Sequence, residues 1–391
     1  MMKLVFYSLI LNHHQVYVAD EFYNILGDDY AFVETAECND EKGASEEYSK
    51  RPYLVKAWKS SEAYNYAMKL AKTAKVCVFS GYEALPFEKA RMQLNMLSFD
   101  MGERMLKRGL LNLASIRILK MILAYHLGGW NKKNIYKLCM SAFAAKDQYK
   151  LYSFKNKCYK WGYFIPVPET VPQKTHKNCC KTENIVPIRL MWCARFLTWK
   201  HPELAITLAS RLKAKGYDFV IDMYGDEGSA AKHDKVYSRR KLESLVTKLG
   251  VDDCVVLHGN QPNKEIINAM KSHDVFLFTS DRLEGWGVVA NESMANGCVL
   301  VASDEIGSVP YLVREGFNGF IFDSCNIDSL VEKVEWLLEH TIDMRLMQMH
   351  AHDNMMELWS PQHAAKSLIQ LIKDLLGGGD TSLTEGPCSK A

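Results

Sequence analysis

Residues 275–303 read VFLFTSDRLEGWGVVANESMANGCVLVAS. VFLFTS (275–280) is short and almost continuously apolar, as expected of a parallel strand covered on both faces. Gly285-Trp286-Gly287 makes a tight turn into a helix expected to start near Val288, and Gly297 closes that helix. CVLVAS (298–303) is a second buried run. Strand, turn, helix and strand make one βα repeat, which specifies a sheet with helices on its faces.

The same unit recurs on both sides of this stretch. IRLMWCA (188–194), FVIDMYG (219–225), CVVLHG (254–259) and GFIF (319–322) are further apolar runs. Between them, Pro202 suits a first helical turn, and Leu242, Leu245, Val246 and Leu249 keep a helical spacing that Gly250 stops. The first half repeats the pattern less regularly. KLVFYSLI (3–10), YAFVETA (30–36), VCVFSG (76–81), NMLSF (95–99) and YKLYSF (149–154) are candidate strands, and 101–146 reads as largely helical. PVPETVPQKTHKNCCKTENIVP (166–187) is rich in proline and polar residues, the composition of a hinge. The expected division is therefore a Rossmann-like domain at 1–168, a linker at 169–187, a second Rossmann-like domain at 188–358, a helix at 359–376 crossing back to the first domain, and a disordered tail at 377–391.

Composition excludes several classes. The chain has 391 residues, 48% of them hydrophobic and 24% charged, with a formal net charge of +2. No apolar stretch approaches the ~20 residues of a membrane-spanning helix. The 11 cysteines form no CxxC pair, which points to neither a zinc site nor a disulfide framework and fits a reducing cytoplasm. The start MMKLVFYSLILNHH reads as a buried first strand rather than a signal peptide. No carboxylate pair or His/Cys cluster has metal-ligand spacing, and no GxGxxG follows a strand. Neither a metal nor another cofactor is expected, and a dinucleotide-dependent oxidoreductase is the weaker enzyme class.

The chemistry-bearing residues cluster at predicted strand ends. Glu284 follows VFLFTS, and Glu292 lies eight positions further on, about one turn into the helix. A carboxylate accepts hydrogen bonds from paired ribose or hexose hydroxyls. The backbone amides of Gly285, Trp286, Gly287 and Val288 at the helix start can hold a phosphate or a sugar hydroxyl. The plain alternative is an ordinary strand–turn–helix with solvent-facing glutamates. WCARFLTWKHPELAI (192–206) places Arg195 and Lys200 five positions apart after an apolar run. MYGDEG (223–228) and LHGN (257–260) place Gly225 and Gly259 at strand ends. Asn12, His13 and His14 follow the first strand and Asp100 follows NMLSF; each is a candidate on the acceptor side, or, for Asn12 and Asp100, a helix N-cap.

EGWGVVANE, with ASDEIGSVPYLVREGFNGFIF downstream and the Arg195–Lys200 segment upstream, resembles glycosyltransferase family 4. The resemblance covers residues 188–376 well and the first half only in outline. LNHHQ (11–15) stands where that family usually has a glycine-rich loop. The resemblance implies a GT-B fold, in which two Rossmann-like domains face each other across a cleft, and a transfer that retains anomeric configuration. It implies a nucleotide-diphosphate-sugar donor, with Arg195 and Lys200 on the diphosphate, Glu284 and the 285–288 amides on the sugar, Glu292 on the ribose, and the Gly225 and Gly259 turns near the nucleotide. It also suggests a glycan or lipid-linked acceptor in bacterial capsule, exopolysaccharide or lipopolysaccharide synthesis. A GT-B-fold epimerase or phosphorylase, or a nonenzymatic basic membrane-binding module, are the competing readings.

Charge is concentrated in one region. Across 103–160, thirteen cations, among them Lys107, Arg108, Arg117, Lys120, Lys132 and Lys133, face only Glu103 and Asp147 and alternate with apolar and aromatic residues. This suits an anionic membrane surface, which would place the protein peripherally at the inner face of the membrane. A solvated helical face is the equal alternative. No nucleic-acid partner is expected.

Overall fold

A computed structural model of the chain describes residues 3–37, 47–172, 187–228 and 235–391, with the side chain of Arg117 left aside. Most of the expected linker, with Cys179 and Cys180, lies outside the described residues. The chain divides into two compact units, residues 1–166 with 358–391, and residues 167–357.

The first unit is a seven-stranded parallel sheet. Its strands are β1 (Leu4–Ser8), β2 (Tyr30–Glu34), β3 (Leu54–Lys56), β4 (Val76–Ser80), β5 (Ser98–Gly102), β6 (Ile135–Cys139) and β7 (Cys158–Lys160), in the order β3-β2-β1-β4-β5-β6-β7. β1 lies inside the sheet between β2 and β4, and every one of its residues is buried, as its largely apolar sequence requires. The second unit is a six-stranded parallel sheet of β8 (Ile188–Cys193), β9 (Phe219–Tyr224), β10 (Val255–Gly259), β11 (Val275–Phe278), β12 (Val299–Ser303) and β13 (Gly319–Phe322). Its order, β10-β9-β8-β11-β12-β13, reverses direction between β8 and β11, the topological switch point beside which open α/β sheets bind ligands. The helix Pro202–Ala214 starts on Pro202, and Arg239–Leu249 is capped by the Ser238 side chain and stopped by Gly250 in the left-handed conformation.

Three expectations in the first half need correction. YKLYSF is not a strand: its first residues end the helix Ala144–Lys150, and Tyr152 and Phe154 then take positive φ. The region 101–146 is only partly helical, because it contains β6. Lys137 sits in the middle of β6 and breaks its apolar signature. It is tolerated because Asp100 is its register partner on β5 and pairs with it at 3.1 Å. Asp100 is thus inside a strand, held by a buried cation, rather than free at a strand end or capping a helix.

The tail is also folded. The helix Pro361–Leu376 starts on Ser360, whose side chain accepts from the His363 amide, and packs against the helix Val16–Leu26. Leu368, Leu371 and Ile372 are fully buried, and each such side chain contributes about 2 kcal/mol. Beyond it, Asp374 accepts from the Ser382 amide and hydroxyl, both at 2.8 Å. Asp380 accepts from the Tyr159 hydroxyl at 2.8 Å and pairs with Lys390 at 2.7 Å. The Cys388 amide donates to the Lys160 carbonyl at 2.7 Å, and the Lys160 amide to the Ser389 carbonyl at 2.8 Å. The last residues run antiparallel beside β7 and satisfy backbone groups that an edge strand leaves open. A glycine-rich, polar composition reads as disorder only when no partner edge is known.

Candidate functional site

In the second unit Lys200 and Glu284 come together at the carboxyl ends of β8 and β11. Thr279, just past β11, organises them. Its hydroxyl accepts from the Trp192 indole N–H at 2.8 Å and donates to the Lys200 carbonyl at 2.7 Å. The Asp281 amide donates to the Trp199 carbonyl at 3.0 Å, so the loop after β8 and the loop after β11 are stitched together. This brings Lys200 against Glu284, and the two form an ion pair with both side chains largely buried. The Lys200 ammonium also lies 4.4 Å from the centre of the Trp199 ring.

Glu292 belongs to the same neighbourhood. It is half-buried on the helix Val289–Ala295, and loss of hydration pushes its carboxyl up to about 7, against a hydrogen bond from Asn263. The Cys193 thiol, at the end of β8, is pushed up to about 12 by burial and then by the Glu292 carboxylate, while Lys200 opposes. Cys193 therefore lies within electrostatic reach of both. Arg195 stays exposed on the loop after β8, its stem alongside Gly228.

The glycines carry geometry. Gly287 has φ +80°, and a Cβ there would meet the Phe278 ring at 2.3 Å. Only glycine lets the chain turn over Phe278 and set Glu284 against Lys200. Gly225 has φ +134°, and a Cβ would lie 1.9 Å from the Ala194 carbonyl; its amide donates to the Gly259 carbonyl at 2.8 Å. Its immediate use is thus the close approach of neighbouring strand ends. Trp286 was a candidate donor contact, but its side chain is fully buried and donates to Asn291 at 2.7 Å.

Sequence reasoning missed His201. It takes a left-handed φ of 50°, contacts Glu203 at 2.9 Å and Asp281 at 3.4 Å, and has Cys325 Sγ 3.4 Å from Nε2. Burial lowers its pKa, but hydrogen bonds to Asp281 and Glu203 win and raise it to about 10, so the imidazolium holds two carboxylates beside Lys200. The Thr-Ser ending of VFLFTS was the available signal for Thr279; nothing in the sequence marked His201.

In the first unit, Asn12 caps a turn: its side chain accepts from the His14 amide at 3.0 Å, and its carbonyl from the Val16 amide at 2.9 Å. The His13 and His14 rings lie 3.7 Å apart. Burial, then His13, lowers the His14 imidazole to about 4, which leaves it neutral at pH 7. Asp100 is not with these residues in any described contact; it belongs to the β5–β6 ion pair with Lys137. Among the described residues, no group of three or more His, Cys, Asp and Glu side chains could hold a metal ion.

The two Rossmann-like sheets match the GT-B class of structures. Residues 187–352 match the family model described as glycosyl transferases group 1, which places that family's segment on the second unit. The chain is 28% identical over 142 residues to the amylovoran biosynthesis glycosyltransferase AmsK of Erwinia amylovora, covering 34% of this chain and 32% of the relative. It is 30% identical over 129 residues to the uncharacterized glycosyltransferase MJ1178 of Methanocaldococcus jannaschii, covering 32% and 35%. The chain thus spans about a third of the length of the curated relatives it matches. Among solved structures, Anabaena Alr3699/HepE in complex with UDP is similar at TM-score 0.69 and 14% identity, covering 96% of this chain and 100% of that one. A glycosyltransferase from Rickettsia africae gives 0.64 and 14%, covering 96% and 98%. These structural likenesses show the fold.

Proposed function

We propose that the chain is a retaining glycosyltransferase that moves a hexose-type sugar from a nucleotide-diphosphate-sugar to a glycan or lipid-linked acceptor in bacterial surface-polysaccharide synthesis. The observation that carries this reading is the Lys200–Glu284 ion pair at the carboxyl edge of a Rossmann-like sheet, within the segment that matches the glycosyl transferases group 1 model. The relative named for amylovoran biosynthesis supports the pathway class, and the UDP complex of a structural neighbour supports a nucleotide-sugar donor.

Without a donor, Lys200 and Glu284 neutralise each other. A diphosphate draws Lys200 away and frees the Glu284 carboxylate to accept from sugar hydroxyls. Arg195, exposed on the same loop, adds a second cation. Glu292 accepts from the ribose, and the turn at 285–288 offers backbone amides. The bond between the anomeric carbon and the diphosphate oxygen breaks, and the acceptor oxygen bonds to that carbon on the same face. The acceptor proton passes to the leaving phosphate. Growing negative charge on the phosphate is met by Lys200 and Arg195, so no metal is required. Acceptor contacts are assigned to the first unit, with Asn12, His13 and His14 at the end of β1. Exposed Leu110, Leu111, Ile116, Leu119, Leu123 and Leu127, set among cations with no acidic residue from 104 to 146, support docking on an anionic membrane. No helix among the described residues is long and apolar enough to cross a membrane.

The test is a thermal-shift screen of nucleotides and nucleotide-sugars, followed by product analysis with the best donor. A donor raises the melting temperature of the wild type. Glu284→Ala keeps the fold and loses turnover by about a hundredfold or more. Turnover persists in excess EDTA; reversible loss on chelation would overturn the metal-free mechanism.

A further inference from the structure

Beneath the helix Ile116–His126 the first unit has a partly open cavity of about 220 Å³ at the carboxyl ends of β4 and β5. Its apolar wall includes Leu85, Met101, Met121 and Trp130. Its polar lining is unusual. Glu88 is only 8% exposed, and its carboxyl feels both the Asp100 carboxylate and the Lys137 ammonium. The Tyr125 hydroxyl is buried and has no hydrogen-bond partner. Both groups line the cavity, and both feel the charge of Asp100, which is already occupied by Lys137.

A buried polar group without a partner costs about 1–3 kcal/mol, so a Tyr125 hydroxyl facing this cavity calls for something that completes it. Water is one answer, since the volume holds about seven molecules. The walls favour another. Trp130 and Tyr125 line it, and the charges of Asp100 and Glu103 are matched in number by those of Lys137 and Lys120, which favours a ligand without net charge. Aromatic surface combined with carboxyl and hydroxyl groups matches a neutral ring that is apolar on its faces and hydroxylated at its edge. Burial, and then the neighbouring Asp100, push the Glu88 carboxyl well above its usual range, while Lys137 opposes.

We propose that this cavity is a binding subsite for an uncharged sugar ring of the acceptor, with Glu88 and Tyr125 as the residues that hold its hydroxyls. It rests on the transferase reading for the word acceptor; the binding itself does not.

The probes are methyl glycosides of glucose, galactose, mannose and N-acetylglucosamine, observed by saturation-transfer NMR on the full chain. At least one binds the wild type. Tyr125→Phe and Glu88→Met each weaken it about tenfold, the worth of one buried hydrogen bond. Because Tyr125→Phe removes an unsatisfied hydroxyl, it does not lower the melting temperature, whereas a structural role for that hydroxyl requires a drop. Glu284→Ala leaves glycoside binding unchanged. No glycoside signal in the wild type, wild-type signal in both variants, or a melting temperature lowered by several degrees in Tyr125→Phe overturns the subsite. If glycosides bind as stated but no nucleotide or nucleotide-sugar stabilises the protein, the transferase reading fails and the subsite stands.

Discussion

Glu292 shows how one side chain links stability to the site. Its carboxyl is raised from an ordinary value near 4.5 to about 7 by burial, with Asn263 opposing and Cys193 nearby. The folded chain therefore holds this proton more tightly than the unfolded chain. The stability this gives is fully present below pH ~4.5 and is lost as pH rises through about 7. Glu292→Gln removes that dependence. We expect the variant to melt higher than the wild type at pH 8, by up to about 3 kcal/mol, and to match it near pH 4.5, in calorimetry across that range. A parallel pH profile for both proteins would discount the buried carboxylate. Gly287 gives a complementary case. Gly287→Ala forces a Cβ into Phe278 at a positive φ, so it should destabilise the chain by about 2 kcal/mol or more and weaken donor binding together with stability.

Among the elements, Asp222 on β9 ties the second sheet together. Burial alone would raise its pKa, but His273, Arg189 and His258 donate to it and hold it far below the usual carboxylate range. These partners come from β8, from β10 and from the residue that closes the helix Asn263–Ser272 before β11, so one carboxylate joins three neighbouring strands to the approach to a fourth. Asp222→Ala leaves three cationic or hydrogen-bonding groups without their acceptor. It should cost about 3–5 kcal/mol in urea denaturation, most of it at neutral pH and less as pH falls toward the range where the unfolded carboxylate is protonated. An unchanged midpoint would mean that water replaces the carboxylate at little cost. The sequence made β9 legible through its apolar run but gave no hint of this clamp, because its partners lie 33, 36 and 51 positions away.

At the scale of the whole chain, the first unit is made of two separated stretches, 1–166 and 358–391. Its helix Pro361–Leu376 covers Val16–Leu26, and its last residues close the edge at β7. A chain truncated after Glu357 should retain a folded second unit and lose the first, read as protection of residues 188–357 and exchange of 3–166 in hydrogen-exchange mass spectrometry. Protection throughout 3–166 would show that the returning segment is dispensable.

The βα alternation of residues 188–322, the turn that presents Glu284, and the position of Lys200 followed from sequence alone. They rest on local rules: apolar runs for buried strands, proline and glycine at helix ends, and glycine where φ is positive. β6, the folded tail, the burial of Trp286, the role of His201 and the cavity beneath Ile116–His126 did not. Each depends on a partner remote in the chain. Asp100 makes Lys137 acceptable inside a strand, and the open edge of β7 orders a polar tail. Asn291 takes the Trp286 indole inward, and Glu203 with Asp281 fixes His201. Local pattern reports what a residue prefers; only tertiary packing decides which distant group neutralises a buried charge or fills an unpaired backbone edge.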